Sequence, residues 1–161
     1  MTKIERSIVI ERSIDEVFEF THDLANSALW QTTLIEAVPL SKWRMGVGWR
    51  WREIRKFLGK QIETIIEMTE YRPNTGSAVK MVSGPIPLSG SYRLERVDGG
   101  TRFTVSGELD GHGFFKLAEP VFARLTGREL EASLGHLKDL LESGAFVNPS
   151  TALSDARVLA G

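Results

Sequence analysis

Hydrophobic and polar positions follow two different periods along this chain. Between Lys3 and Arg12, Ile4, Ile8 and Ile10 alternate with Glu5, Ser7, Val9 and Glu11, which predicts a strand with one buried face. Ser13 and Glu16 then make an S-x-x-E capping box, which opens a short helix whose Ile14, Val17, Phe18 and Thr21 share a face. A second short helical turn is predicted around Asn26 to Gln31, with Trp30 as its apolar anchor. From Thr33 to Asp110 the helical period is absent. Strands are predicted at 34–43, 47–57, 61–70, 78–83, 88–97 and 101–110. Turn chemistry separates them at Met45-Gly46, Gly59-Lys60, Pro73-Asn74-Thr75-Gly76, Gly84-Pro85 and Asp98-Gly99-Gly100. Such short connections favour antiparallel neighbours in a meander.

The helical period returns at length only from Phe114 to Ser143. At 100° per residue, Phe122, Thr126, Leu130, Ser133, Leu134, Leu137, Leu140 and Leu141 gather on one side, opposite Arg128, Glu131, Lys138 and Asp139. A helix of about 25 residues spans about 37 Å, the width of a small domain. It must therefore be buried against the strands that precede it. Its stripe is uneven: the far end is leucine, but Thr126 and Ser133 stand where close packing favours large side chains. That gap predicts a pocket. Pro120 removes one ladder hydrogen bond, so the helix is expected to start or kink there, with 114–118 as a separate turn. Gly144 suits the helix end, and 145–161 reads as a peripheral or mobile tail to a single domain over 1–144. The predicted fold is α+β: a curved seven-stranded antiparallel sheet wrapped around a long C-terminal helix, with two short helices after the first strand.

Composition narrows the function classes. A net charge of −1 gives no basic field for nucleic acid, and no apolar run approaches a membrane span. The N-terminus is too charged for a secretory signal, and the absence of cysteine removes disulfides and thiolate chemistry. A cytoplasmic protein, monomer or homodimer, is expected. The three histidines are dispersed without metal-ligand spacing, so no metal is expected.

Strand alternation then nominates a pocket wall. Inward positions are Ile62, Thr64, Ile66 and Met68; Val79, Met81 and Ser83; Tyr92 and Leu94; and Phe103, Val105, Gly107 and Leu109. In the strand over 47–57 the inward phase holds Val47, Trp49, Trp51, Glu53, Arg55 and Phe57. If that face is inward throughout, an aromatic wall adjoins an ion pair inside a cavity. The alternative is a bulge after Trp51 that turns both charges to water. Candidate ligand contacts are Trp30, Trp49, Trp51, Met68, Met81, Tyr92, Phe103, Phe115, Phe122, Thr126 and Ser133. Candidate acid–base groups are Tyr92, Glu53, Arg55, Glu119 on the helix stripe, and His22 and His112 at the entrance. The segment 81–89, with Ile86 and Leu88, is a candidate cover for the opening.

Several strings resemble the START-type helix-grip superfamily, also called SRPBCC, in its polyketide cyclase/dehydrase-like branch. They are IERSIVIERSIDEVFEFTHDLANSALW, ETIIEMTEYRPN, SGPIPLSGSYRLERVDGGTRFTVSGELDGHGFFKLAEPVFARL and RELEASLGHLKDLLES. The resemblance covers about residues 3–143. It implies a deep apolar cavity between sheet and helix for lipids, sterols, polyketides or aromatic molecules. Members of this fold share no common catalytic residue set, so no residue role is carried over. Three readings follow: a cofactor-free cyclase/aromatase or dehydratase, a carrier or sensor of a hydrophobic small molecule, and a protein-interaction module.

Overall fold

Exposed and half-buried residues alternate without a break along β1 (Thr2–Ile10), so the period-2 pattern of the sequence is the pattern of the strand. The computed structural model describes residues 2–85, 87–109 and 114–144, and of 114–119 the backbone alone. The remaining elements are α1 (Ile14–Thr21), a 3-10 turn (Leu24–Asn26), α2 (Ser27–Trp30), β2 (Leu34–Pro39), β3 (Arg50–Phe57), β4 (Lys60–Arg72), β5 (Gly76–Ser83), β6 (Leu88–Val97), β7 (Gly100–Leu109) and α3 (Phe114–Glu142). The seven strands form one antiparallel sheet in the order β1-β7-β6-β5-β4-β3-β2. β2 to β7 are a meander, and β1 closes it against β7. The sheet curls around α3, which is the α+β helix-grip architecture the resemblance implies.

Local chemistry sets the boundaries. The capping box at α1 forms, with Ser13 Oγ accepting from the Glu16 N–H and the Glu16 carboxylate accepting from the Ser13 N–H. The β3–β4 hairpin turns on Leu58 and Gly59, both with positive φ (50° and 79°), the backbone a two-residue hairpin of this kind requires. Leu58 adopts it with its side chain in solvent, 75% exposed.

Three boundaries differ from the expectation by more than two residues. β2 stops at Pro39, which has no N–H for a further ladder bond, and β3 begins only at Arg50. Residues 40–49 are a loop between them, and Val47, expected inward, is 68% exposed. α3 runs unbroken through Pro120 from Phe114, with no separate preceding turn. One absent ladder bond does not end a helix whose backbone is helical on both sides of the proline. Gly144 has the left-handed φ (66°) of a helix terminator. The expectations for Ile86, His112 and the tail 145–161 fall outside the described residues.

α3 is tied along β1. Arg6 Nε donates to Glu131 at 2.8 Å, Lys138 Nζ to the Val9 carbonyl at 2.8 Å, and Arg12 Nη2 to the Glu142 carbonyl at 2.8 Å. Gly127 permits the approach of Arg6, because a Cβ there would lie 2.8 Å from Arg6 Nη2. The C-terminal half of α3 then packs Leu134, Leu137 and Leu141 against Ile10, Val17, Phe18 and Phe103 in a filled core. In urea unfolding, Leu137→Ala is expected to cost about 2–5 kcal/mol. Thr126→Ala, whose side chain borders a void, is expected to cost under about 1 kcal/mol. Equal losses would mean that the two halves of α3 are packed alike.

Candidate functional site

Where the leucines of α3 end, the space between helix and sheet is open. A cavity of about 550 Å³ lies there, bordered on the helix by Phe122, Thr126, Glu129, Leu130 and Ser133. Two glycines opposite the helix enlarge it. Gly90 of β6 and Gly107 of β7 are register partners on the inner face, and a Cβ at Gly107 would meet nothing closer than 3.9 Å. Most of the wall is apolar. Trp49 and Trp51 lie with ring centroids 5.5 Å apart, and Met68 and Met81 continue their side of the cavity. At the helix, Phe122 meets Phe57 with centroids 5.3 Å apart.

The charged pair faces inward. The pairing of β3 with β4 is unbroken from Arg50↔Glu67 to Phe57↔Lys60, so no bulge follows Trp51. Alternation therefore carries Glu53 and Arg55 to the face of the two tryptophans. Glu53 is 8% exposed and accepts from Trp51 Nε1 at 2.9 Å and from Arg55 Nε at 2.8 Å. Arg55 also donates through Nη1 to Thr33 Oγ1 at 3.2 Å and through Nη2 to Gln31 Oε1 at 2.6 Å. Gln31 Nε2 in turn donates to the Tyr92 hydroxyl at 3.5 Å. Arg55, Gln31 and Tyr92 border the cavity, while Glu53 sits behind them. Burial holds the Tyr92 phenol protonated well above its ordinary range; Glu53 adds to that shift and Arg55 opposes it.

Glu129 is the second carboxylate of the site, and the sequence reading passed over it. Its pKa is raised by burial, against the pull of Arg55. It lies seven residues after Phe122, about 20° from that residue around the helix, so the stripe that nominated Thr126 and Ser133 contains it. Ser77 was missed by one residue, because β5 begins at Gly76 and its inward phase starts before Val79. Gln31 and Thr33 lie in the connection after α2, where no periodicity marks a face.

His22 borders the cavity. It caps the C-terminus of α1, stacked on Phe18 at 3.9 Å between ring centroids. Its Nδ1 lies 3.0 Å from the Phe18 carbonyl and its Nε2 2.8 Å from Ser77 Oγ. Burial pushes its pKa down to about 4, with the Phe18 carbonyl opposing. Together with Leu24, Met45 and Trp49 it also walls a second hollow of about 800 Å³ beside α1.

Of the other nominated contacts, Trp30, Tyr92, Thr126 and Ser133 border the cavity. Ser133 is more than a gap, since its Oγ accepts from the Thr32 N–H at 3.1 Å and anchors the α2–β2 connection to the helix. Phe103 does not border the cavity. It is fully buried among Trp30, Tyr92 and the leucines of α3, because β7 is already beneath the filled half of the helix at that point. The side chains of Phe115 and Glu119 fall outside the described residues, as does His112. Pro85 and Leu88 of the nominated cover border the cavity. Among the described residues, no helix is long and apolar enough to cross a membrane.

The sequence profile of the family described as "Polyketide cyclase / dehydrase and lipid transport" matches residues 1–142. Among solved structures, TTHA0849 from Thermus thermophilus aligns over 90% of this chain and 100% of its own, with a TM-score of 0.77 and 15% identity. A START superfamily protein from Mycobacterium smegmatis aligns over 88% of this chain and 97% of its own, with a TM-score of 0.72 and 13% identity. The Zhui aromatase/cyclase from Streptomyces sp. R1128 aligns over 91% and 99%, with a TM-score of 0.68 and 17% identity. At these identities the likeness is one of fold. Among curated proteins, none matches the chain in sequence.

The buried histidine sets a pH dependence. Its folded pKa of about 4 lies below the ordinary 6.5, so the unfolded chain takes up the proton first as pH falls. The stability it contributes is full above about pH 6.5 and is lost as pH drops towards 4, a change of about 3 kcal/mol. Urea unfolding across that range should show the decline, and His22→Gln should remove that share of it. An imidazole that titrates near 6.5 by NMR would contradict this placement.

Proposed function

The chain belongs to the polyketide cyclase / dehydrase and lipid transport family, and from that premise we propose that it binds a mostly apolar, aromatic or polycyclic small molecule between the sheet and α3. One observation carries the reading: an apolar cavity of about 550 Å³ crossed by a polar strip, Arg55–Gln31–Tyr92. That volume lies in the range of small-molecule sites, and a few placed polar groups in an apolar wall are what orients a ligand. Trp30, Trp49, Trp51, Met68, Met81 and Phe122 supply the apolar contact, and Thr126 and Ser133 the room. Among the described residues, Arg55 uses three of its five N–H donors, which leaves two for a ligand oxygen. Its charge is offset by Glu53 in contact and by Glu129 nearby, so a carbonyl suits the strip better than a carboxylate.

A second reading adds chemistry to the same pocket. Glu129, its pKa raised by burial and bordering the same cavity as Arg55, has the character of a proton-transfer group. In a cofactor-free cyclisation or dehydration, Arg55 and Tyr92 would hold a carbonyl while Glu129 moves the proton. Carrier and enzyme then differ at one residue. Glu129→Gln should leave binding within about twofold and abolish turnover if the pocket is catalytic.

The binding reading is tested by native mass spectrometry of freshly purified protein and by titration with anilinonaphthalene sulfonate. A co-purifying small molecule and saturable probe binding are expected. Gly107→Leu, which places a side chain in the cavity, should weaken probe binding at least about tenfold without unfolding the protein. Absence of both ligand and saturable binding would overturn the reading.

A further inference from the structure

The hydrogen-bond donors around the cavity can be assigned a direction, and the direction specifies a ligand. Arg55 can only donate, so the Gln31 oxygen that it reaches at 2.6 Å is spent as an acceptor. The amide orientation follows: Gln31 presents its NH₂ to Tyr92, whose oxygen accepts. Among the described residues, the Tyr92 hydroxyl proton is thereby left without a partner, on the cavity wall. The same logic runs from the other side. A backbone carbonyl can only accept, and Thr21 Oγ1, 3.1 Å from His22 Nδ1, spends its own proton on the Val17 carbonyl at 2.8 Å, so Nδ1, 3.0 Å from the Phe18 oxygen, carries the imidazole proton. Its Nε2 is then an acceptor, and the Ser77 hydroxyl at 2.8 Å must donate to it. Ser77 is 8% exposed, borders the cavity and has only oxygen lone pairs left to offer. Burial keeps His22 neutral down to about pH 4, so one of its two nitrogens is an acceptor.

Ser77 and Tyr92 are direct register partners on β5 and β6, and the His22 ring meets Tyr92 edge-on, with centroids 5.7 Å apart at 89°. Free donor and free acceptor therefore share one patch of the wall, and neither carries charge. We propose that this patch selects a neutral ligand bearing both a carbonyl, which accepts from the Tyr92 hydroxyl, and a hydroxyl, which donates to Ser77 Oγ. His22 is the positioning residue that keeps Ser77 an acceptor. The proposal rests on the ligand-binding reading above and names the class of molecule that would fill the site, a phenolic or hydroxylated ketone.

Four naphthalene probes separate the two claims by calorimetry: naphthalene, 2-naphthol, 2-acetylnaphthalene and 6-acetyl-2-naphthol. The last, with both groups, should bind tightest. Tyr92→Phe should weaken the two ketones by about 3–10-fold and 2-naphthol by less than twofold. Ser77→Ala should do the converse, weakening the two naphthols and sparing 2-acetylnaphthalene. His22→Phe keeps an aromatic ring against Phe18 but frees the Ser77 proton, so 2-acetylnaphthalene should gain on 2-naphthol by about 3-fold or more. A merely structural histidine would weaken both alike. Thermal melts of each variant show whether the fold is kept. If naphthalene binds as tightly as 6-acetyl-2-naphthol, or if each variant weakens all four probes equally, the donor–acceptor patch is wrong and the cavity reading stands. If no probe binds, the cavity reading itself fails.

Discussion

A sheet that curls around one helix encloses more space than the helix can fill unless large side chains stand at every inward position. In this protein α3 meets that constraint over half its length. Leu134, Leu137 and Leu141 complete a close-packed core with Ile10, Val17, Phe18 and Phe103. From Ser133 back to Phe122 the same face includes Thr126, Glu129 and Ser133 in place of an unbroken row of large apolar residues, and the sheet opposite offers Gly90 and Gly107. The void is therefore built from both sides. The filled half, with the ties from Arg12 to the Glu142 carbonyl and from Lys138 of α3 to the Val9 carbonyl, holds the helix in place while the other half stays open.

What lies in the void is unusual for stability alone. Burying an ion pair such as Glu53–Arg55 gains little over apolar packing, because desolvation offsets the attraction. Here the pair is held by further bonds to Trp51, Thr33 and Gln31 and ends in a phenol on the cavity wall. The arrangement leaves little net charge facing the void. A guanidinium is balanced by a buried carboxylate, and burial holds both the Tyr92 phenol and the His22 imidazole neutral. On the proposed reading, such a site discriminates by hydrogen-bond direction rather than by Coulomb attraction.

Much of this was legible before any coordinates. The strand β6 (Leu88–Val97) was bounded by its turn residues, and the α1 capping box stood in four consecutive letters. Thr126 and Ser133 marked the gap in the helix stripe. Glu129 was equally legible, since a helix repeat of seven residues separates it from Phe122. A half-empty interface has room for a carboxylate on that stripe. The end of β2 at Pro39 was also written in the sequence, as a residue that cannot donate to a ladder.

By itself the sequence determined the elements, their order and their inward faces, because periodicity is local and burial is the force that selects it. Which inward residues border space and which are packed solid was decided only in three dimensions. Phe103 and Tyr92 both point inward on neighbouring strands, yet only Tyr92 reaches the cavity, because the leucines of α3 cover the other. The directions of the hydrogen bonds were decided there too. Gln31 owes its amide orientation to Arg55, 24 residues away, and Ser77 owes the use of its proton to His22, 55 residues away. Donor and acceptor roles depend on who the partner is, and only the folded chain supplies the partner.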